Sequence, residues 1–174
     1  MILCSPLQTP TIHMAVGSVW LGCAALLLAP SGFAMETKIE SLDLRETQQA
    51  NWHVPKAGLA FGDGPLRVGG KTYAHGFGTV GGSRLEIALD GQAEKFTALT
   101  GVDETTGTLT TVRFLIVGDD RVLYRSPWQQ RSGPALPAGV PLAGVRRLAL
   151  VVDVRGDPFA RADWLNPVIT HTGA

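Results

Sequence analysis

The stretch Gly76-Phe77-Gly78-Thr79-Val80-Gly81, continuing as Gly82-Ser83-Arg84-Leu85-Glu86-Ile87-Ala88-Leu89, decides the fold class. Its first half fits the dinucleotide pattern G-x-G-x-x-G. That pattern holds a pyrophosphate only where a helix N-terminus follows, so that backbone N–H groups and the helix dipole meet the phosphates. The second half removes that context. Leu85, Ile87 and Leu89 recur with period two, which is a strand signature. A kinase-type glycine loop does lie between strands, but the other kinase signatures are absent and the chain is too short. The glycines are therefore expected in a connection between sheet strands that needs positive φ or a close backbone approach.

The same alternation extends in both directions. Ile39 to Leu44, Lys95 to Val102, Leu109 to Val117, Arg121 to Tyr124, Arg147 to Val154 and Ala162 to Thr170 read as strands. Leu66-Arg67-Val68 and Lys71-Thr72-Tyr73 flank Gly69-Gly70 and predict a small hairpin. Thr47 to Gly64 is polar with Pro55, Gly58, Gly62 and Gly64, and predicts a long loop. Ser126 to Gly144 is rich in Pro and Gly and predicts at most one short strand. No segment sustains a 3.6-residue period. Short strands separated by turn signals predict an all-β protein, an antiparallel β-sandwich or barrel.

Composition narrows the function classes. The chain has 174 residues, with 15 Lys+Arg against 15 Asp+Glu. A net charge near zero without a basic cluster argues against nucleic-acid binding, which requires a basic face to displace counterions. Residues 1–34 contain no Lys, Arg, Asp or Glu, and Val16 to Ala29 is an apolar run followed by small residues at Gly32 and Ala34. This predicts a signal peptide over 1–34, with Met14 as an alternative start, and a single mature domain over 35–174 that is secreted or periplasmic. The alternatives are a lipoprotein anchor at Cys23 and a buried N-terminal helix. Contact with a membrane is expected only through the segment itself, where it stays uncleaved. Both cysteines, Cys4 and Cys23, fall inside it, so the mature domain is expected to have no disulfide, thiolate zinc site or cysteine nucleophile.

An ordered series of short motifs carries a resemblance. It runs from Gly70-Lys71-Thr72-Tyr73-Ala74-His75-Gly76-Phe77-Gly78-Thr79 through Ser83, Glu86-Ile87 and Phe96. It continues with Gly101-Val102-Asp103-Glu104, Val112-Arg113-Phe114, Gly118-Asp119, Leu148 to Val152 and Ala162-Asp163-Trp164. Over roughly Ile39 to Thr170 this resembles the NPCBM family, also classed as carbohydrate-binding module family 51. The resemblance implies a jelly-roll β-sandwich of the galactose-binding-like type, often with a structural calcium ion, usually appended to secreted glycoside hydrolases and binding galactose-type glycans. This chain departs from the family at Thr79-Val80-Gly81, where Thr-His-Ala is usual, and at Ala160-Arg161, where Asp-His is usual. The module is expected to stand alone here, without an attached hydrolase.

A sugar site needs an aromatic face for the apolar side of the ring and planar polar groups for its hydroxyls. Trp52 in Gln48-Gln49-Ala50-Asn51-Trp52-His53 and Trp128 in Ser126-Pro127-Trp128-Gln129-Gln130 have such company. Each can equally pack as a lid on the sandwich. Trp52→Ala is expected to abolish binding without unfolding the domain. Gln48, His75, Asp103 and Thr79 complete the candidate ligand set, against readings of His75 as a rim residue and Asp103 as a solvated turn. Trp164 is expected in the core, with Asp163 satisfying buried N–H donors. Asp63 and Asp163 are the expected calcium ligands, supplemented by carbonyl oxygens. No histidine spacing suggests zinc. A glycosidase needs two carboxyls about 5–10 Å apart across a cleft, and only Asp103 with Asp163 offers a pair, so no catalytic residue is expected. Three readings stand in order: a non-catalytic glycan-binding module, a protein-binding module on the same sandwich, and a small glycoside hydrolase.

Overall fold

A computed structural model describes residues 34–49, 53–89, 91–107 and 109–172. The predicted signal peptide and its alternative start lie outside the described residues, apart from Ala34. Twelve strands follow in chain order: β1 Met35–Lys38, β2 Leu66–Val68, β3 Lys71–Tyr73, β4 Gly76–Val80, β5 Arg84–Ala88, β6 Ala93–Val102, β7 Thr111–Gly118, β8 Arg121–Arg125, β9 Gln129–Gln130, β10 Leu136–Pro141, β11 Arg147–Arg155 and β12 Arg161–His171. They form two five-stranded antiparallel sheets and the β2–β3 hairpin, in a jelly-roll β-sandwich. Among the described residues no helix is long and apolar enough to cross a membrane.

The first sheet has the order β1-β12-β6-β10. β4 shares one side of β12 with β1: β4 pairs Arg161–Leu165 and β1 pairs Val168–His171. The second sheet has the order β5-β11-β7-β8, with β9 continuing the β8 side of β7. Inward residues of both sheets build one core around Trp164, which is fully buried. Phe114 meets it edge-on at 5.0 Å between ring centroids, and Phe96 at 6.2 Å. The expectation that Trp164 is core is correct. A second apolar cluster of Ala60, Leu66, Val68 and Leu165 lies on the other face of the first sheet, because Leu165 alternates with Trp164 along β12.

The hairpin forms as expected, with Gly69 and Gly70 at φ +58° and +76°, the conformation of a type I′ turn. Three expectations are corrected. Ile39 to Leu44 does not form a strand: Ile39–Ser41 and Leu44–Glu46 are single 3₁₀ turns whose Ile39 and Leu44 are buried, and the Asp43 carboxylate caps the second turn at Arg45 N. The Pro-rich segment holds two strands, β9 and β10. Pro137 and Pro141 are tolerated because β10 is an edge strand paired only to β6. Gly76 to Val80 of the glycine motif are strand β4, and only its last residue, Gly81, belongs to the turn that leads into β5. β12 carries a bulge of Asn166 and Pro167, where Asn166 takes φ +47° and Pro167 has no ladder hydrogen to lose.

Candidate functional site

Why β4 needs glycine follows from what crosses it. Residues 58–61 form a strap along β4, joined by Gly58 N–H to Gly76 O at 2.7 Å and Gly78 N–H to Leu59 O at 2.9 Å. A Cβ on Gly78 would sit 2.6 Å from the Cα of Ala60, and closer still to Phe61 N. Gly76 adds a φ of +130°, which L side chains rarely adopt. The close approach expected of the motif is thus real, and its object is the protein's own backbone.

Behind this strap lies a buried carboxyl pair. Asp163 is the register partner of Gly78 on one side and Gly101 on the other, and it is fully buried. Asp103, just past β6, is 1% exposed and accepts a hydrogen bond from Thr105 N at 2.8 Å and another from the Thr105 hydroxyl. Among the described residues no N–H or hydroxyl donor reaches either carboxyl oxygen of Asp163, so the expectation that it satisfies buried donors is corrected; it hydrogen-bonds instead with the Asp103 carboxyl. Burial first, then the neighbouring Asp103 charge, pushes the Asp163 carboxyl well above the usual carboxylate range. Both carboxyls are buried among the described residues, whereas the two carboxyls of a glycosidase flank a cleft.

An open groove lies on the outer face of the second sheet. It has a volume of about 590 Å³ and is floored by Leu115 and Val151 and rimmed by Gln48, Gln49, Arg84 and Asp153. Asp153 pairs with Arg113 at 2.5 Å, and Arg113 lies 4.5 Å from the centre of the Trp128 ring. Arg155 lies 4.2 Å from the same ring. Trp128 in turn walls a pocket of about 470 Å³ that also contains Gln129, Gln130 and Arg131. Strand alternation places these groups: Val112, Phe114 and Val152 enter the core, so Arg113 and Asp153 face out.

The predicted residues therefore separate. Gln48 and Trp128 reach the open face, linked by Asp153 and Arg113. Trp128 is half-buried and already holds two guanidinium groups against its ring. His75 is exposed in a different region, where its Nδ1 lies 2.9 Å from a Glu40 carboxylate oxygen. Thr79 is corrected: it is 1% exposed on the core side of β4, and its hydroxyl donates to Ala162 O at 3.2 Å. Asp103 is corrected likewise, since burial denies it to an external ligand. Trp52 lies outside the described residues. Asp63 is exposed and bound to Lys56 at 2.5 Å, and the carboxyl beside Asp163 is that of Asp103. Among the described residues no three His, Cys, Asp or Glu side chains cluster as a metal site. Gln49, Arg84, Arg113, Asp153 and Arg155 were missed. Their signal was the polar alternate of Val112-Arg113-Phe114 and Val152-Asp153-Val154-Arg155.

With this geometry in place, comparisons with known proteins are informative. The model of the NPCBM/NEW2 domain matches residues 36–170. A Renibacterium salmoninarum protein designated an endo-alpha-N-acetylgalactosaminidase is 34% identical over 110 residues, covering 62% of this chain and 7% of that protein. Alpha-1,3-galactosidase B of Akkermansia muciniphila is 26% identical over 151 residues, covering 84% of this chain and 19% of the enzyme. The chain thus spans under a fifth of either relative. Among solved structures, the CBM51 of a Clostridium perfringens GH95 protein, in complex with methyl-galactose, superposes with a TM-score of 0.68 at 19% identity. That match covers 78% of this chain and 99% of the other. At that identity the likeness speaks for the fold.

Proposed function

This chain belongs to the NPCBM/NEW2 domain family, and from that premise we propose that it is an exported, non-catalytic module that binds galactose-type glycans. The observation that carries the reading is the open groove of the second sheet. Leu115 and Val151 offer an apolar floor to the C–H face of a sugar, while Gln48, Arg84 and Asp153 offer planar donors and acceptors to its hydroxyls. The galactose preference is supported by what the relatives are named for and by the sugar bound to the solved neighbour. Export is supported by the apolar run and small-residue site within residues 1–34. Recognition is passive, and a small wet site gives affinities on the order of 0.01–1 mM.

Calcium belongs to this proposal as a structural ion. Two adjacent buried carboxyls, with no N–H or hydroxyl donor on Asp163 among the described residues, match the ligand chemistry of that cation. Asp163 and Asp103 would hold it, and its charge would offset theirs beneath the strap. Asp63 would remain with Lys56.

A second reading, a protein-binding surface, is favoured by one feature. Leu109 is 95% exposed and Phe159 53%. Their two loops abut through Asp157 N–H and the Thr110 hydroxyl at 3.3 Å. A glycan array probed with the folded protein, with calcium and with chelator, separates the readings. Binding to a defined galactose-terminated set supports the module. A blank from folded protein moves the weight to the Leu109–Phe159 surface.

A further inference from the structure

The Trp128 pocket carries a charge that recognition of a neutral sugar does not require. It is lined by Trp128, Gln129, Gln130 and Arg131, and Arg155 stands at its edge, in register with the pocket residue Thr111 and against the Trp128 ring. Of the guanidiniums gathered here, Arg113 is neutralised by Asp153 at 2.5 Å. Arg131 and Arg155 have no carboxylate partner among the described residues. Arg131 is anchored by Nη1, which donates to Thr106 O at 3.3 Å, leaving its other donors unassigned. Asp157, two residues beyond Arg155, keeps Oδ1 on Phe159 N at 2.9 Å. Gln130 also lines the pocket and pairs with Thr111 across from Arg155, so these side chains share one face, whereas Gln129 is 7% exposed and turns inward, where its Nε2 donates to the Thr100 hydroxyl.

The Gln130 amide offers both a donor and an acceptor to a sugar hydroxyl. Two uncompensated guanidiniums ask for an anion, and guanidinium matches a carboxylate or sulfate in a bidentate manner. We propose that this pocket binds an acidic sugar, a hexuronate or a sulfated hexose, with its anionic group at Arg155 and Arg131 and a hydroxyl at Gln130. The inference rests on the glycan-binding reading above and adds the charge of the residue recognised. A neutral galactose would lie in the adjoining groove, so that an acidic residue next to it in an oligosaccharide would reach the pocket.

The test is titration calorimetry of the protein with three matched ligands: a galactose-terminated oligosaccharide, its galacturonate-terminated counterpart, and its sulfated counterpart. At least one acidic ligand should bind about tenfold or more tightly than the neutral one, the scale of one charge-assisted contact. That preference should weaken as salt rises. It should vanish in Arg155→Gln and in Arg131→Gln while affinity for the neutral sugar stays, with thermal melts confirming that both variants fold. The carboxylate and sulfate arms identify which anion is used. Equal binding of neutral and acidic ligands, unmoved by either substitution, overturns the acidic pocket and leaves the glycan module standing. Absence of binding to all three by folded protein overturns both.

Discussion

Substituting Gly78 by alanine tests the strap directly. The new Cβ would meet the backbone of Ala60, with its Cα at 2.6 Å and its carbonyl carbon at 2.7 Å, and the backbone of Phe61. Backbone cannot rotate aside as a side chain can, so the strap must lift. Overpacking of this kind costs about 1–3 kcal/mol. Lifting endangers the hydrogen bonds from Gly58 to Gly76 and from Gly78 to Leu59, at about 0.5–1.5 kcal/mol each. Loss of glycine's freedom in the unfolded chain returns about 0.4–1 kcal/mol. The net is a destabilisation of about 1–5.5 kcal/mol, or a fall in Tm of about 3–17 °C for a domain of this size. Gly107→Ala is the control: a Cβ there meets nothing within 4 Å and its φ is not positive, so its Tm should hold or rise slightly. Thermal unfolding followed by circular dichroism reads both. If Gly78→Ala melts within about a degree of the parent, the strap is not packed on β4 and the account of the glycine motif fails.

Three further outcomes are expected. In chelator, Asp163 has a folded pKa raised above its unfolded value, so the native state takes up a proton. The stability this adds is fully present below the unfolded pKa, near 3.8, and is lost as pH rises through the folded value. The parent should therefore lose Tm over that window relative to Asp163→Asn, and calcium should raise the Tm of the parent alone at neutral pH; coincident curves with no calcium effect would remove both roles. Trp164→Ala should cost about 3–5 kcal/mol by opening a cavity against Phe114 and Phe96, measured by denaturant unfolding. Asp153→Asn should weaken glycan binding by roughly tenfold through a lost acceptor and a released Arg113, with little change in Tm because the pair is partly exposed; undiminished affinity in calorimetry would place the sugar away from this groove.

The amino-acid sequence by itself determined the fold class. Period-two alternation in Arg84–Ala88, Thr111–Gly118 and Arg147–Arg155 is a local property, set by which side of the pleat each residue occupies. The I′ hairpin at Gly69-Gly70 and the burial of Trp164 were legible for the same reason. What alternation does not carry is which strands lie beside each other and what covers their outer faces. Residues 58–61 converge on Gly78, and Asp103 on Asp163, only through pairing between strands distant in sequence. Those contacts turned an expected connection between strands into a strand under a strap, made Asp103 a buried neighbour rather than a ligand contact, and closed Thr79 into the core. The groove has the same origin. Arg113 and Asp153 read as ordinary outward residues of separate strands, and they became one site because β7 and β11 pair in the register that sets them opposite.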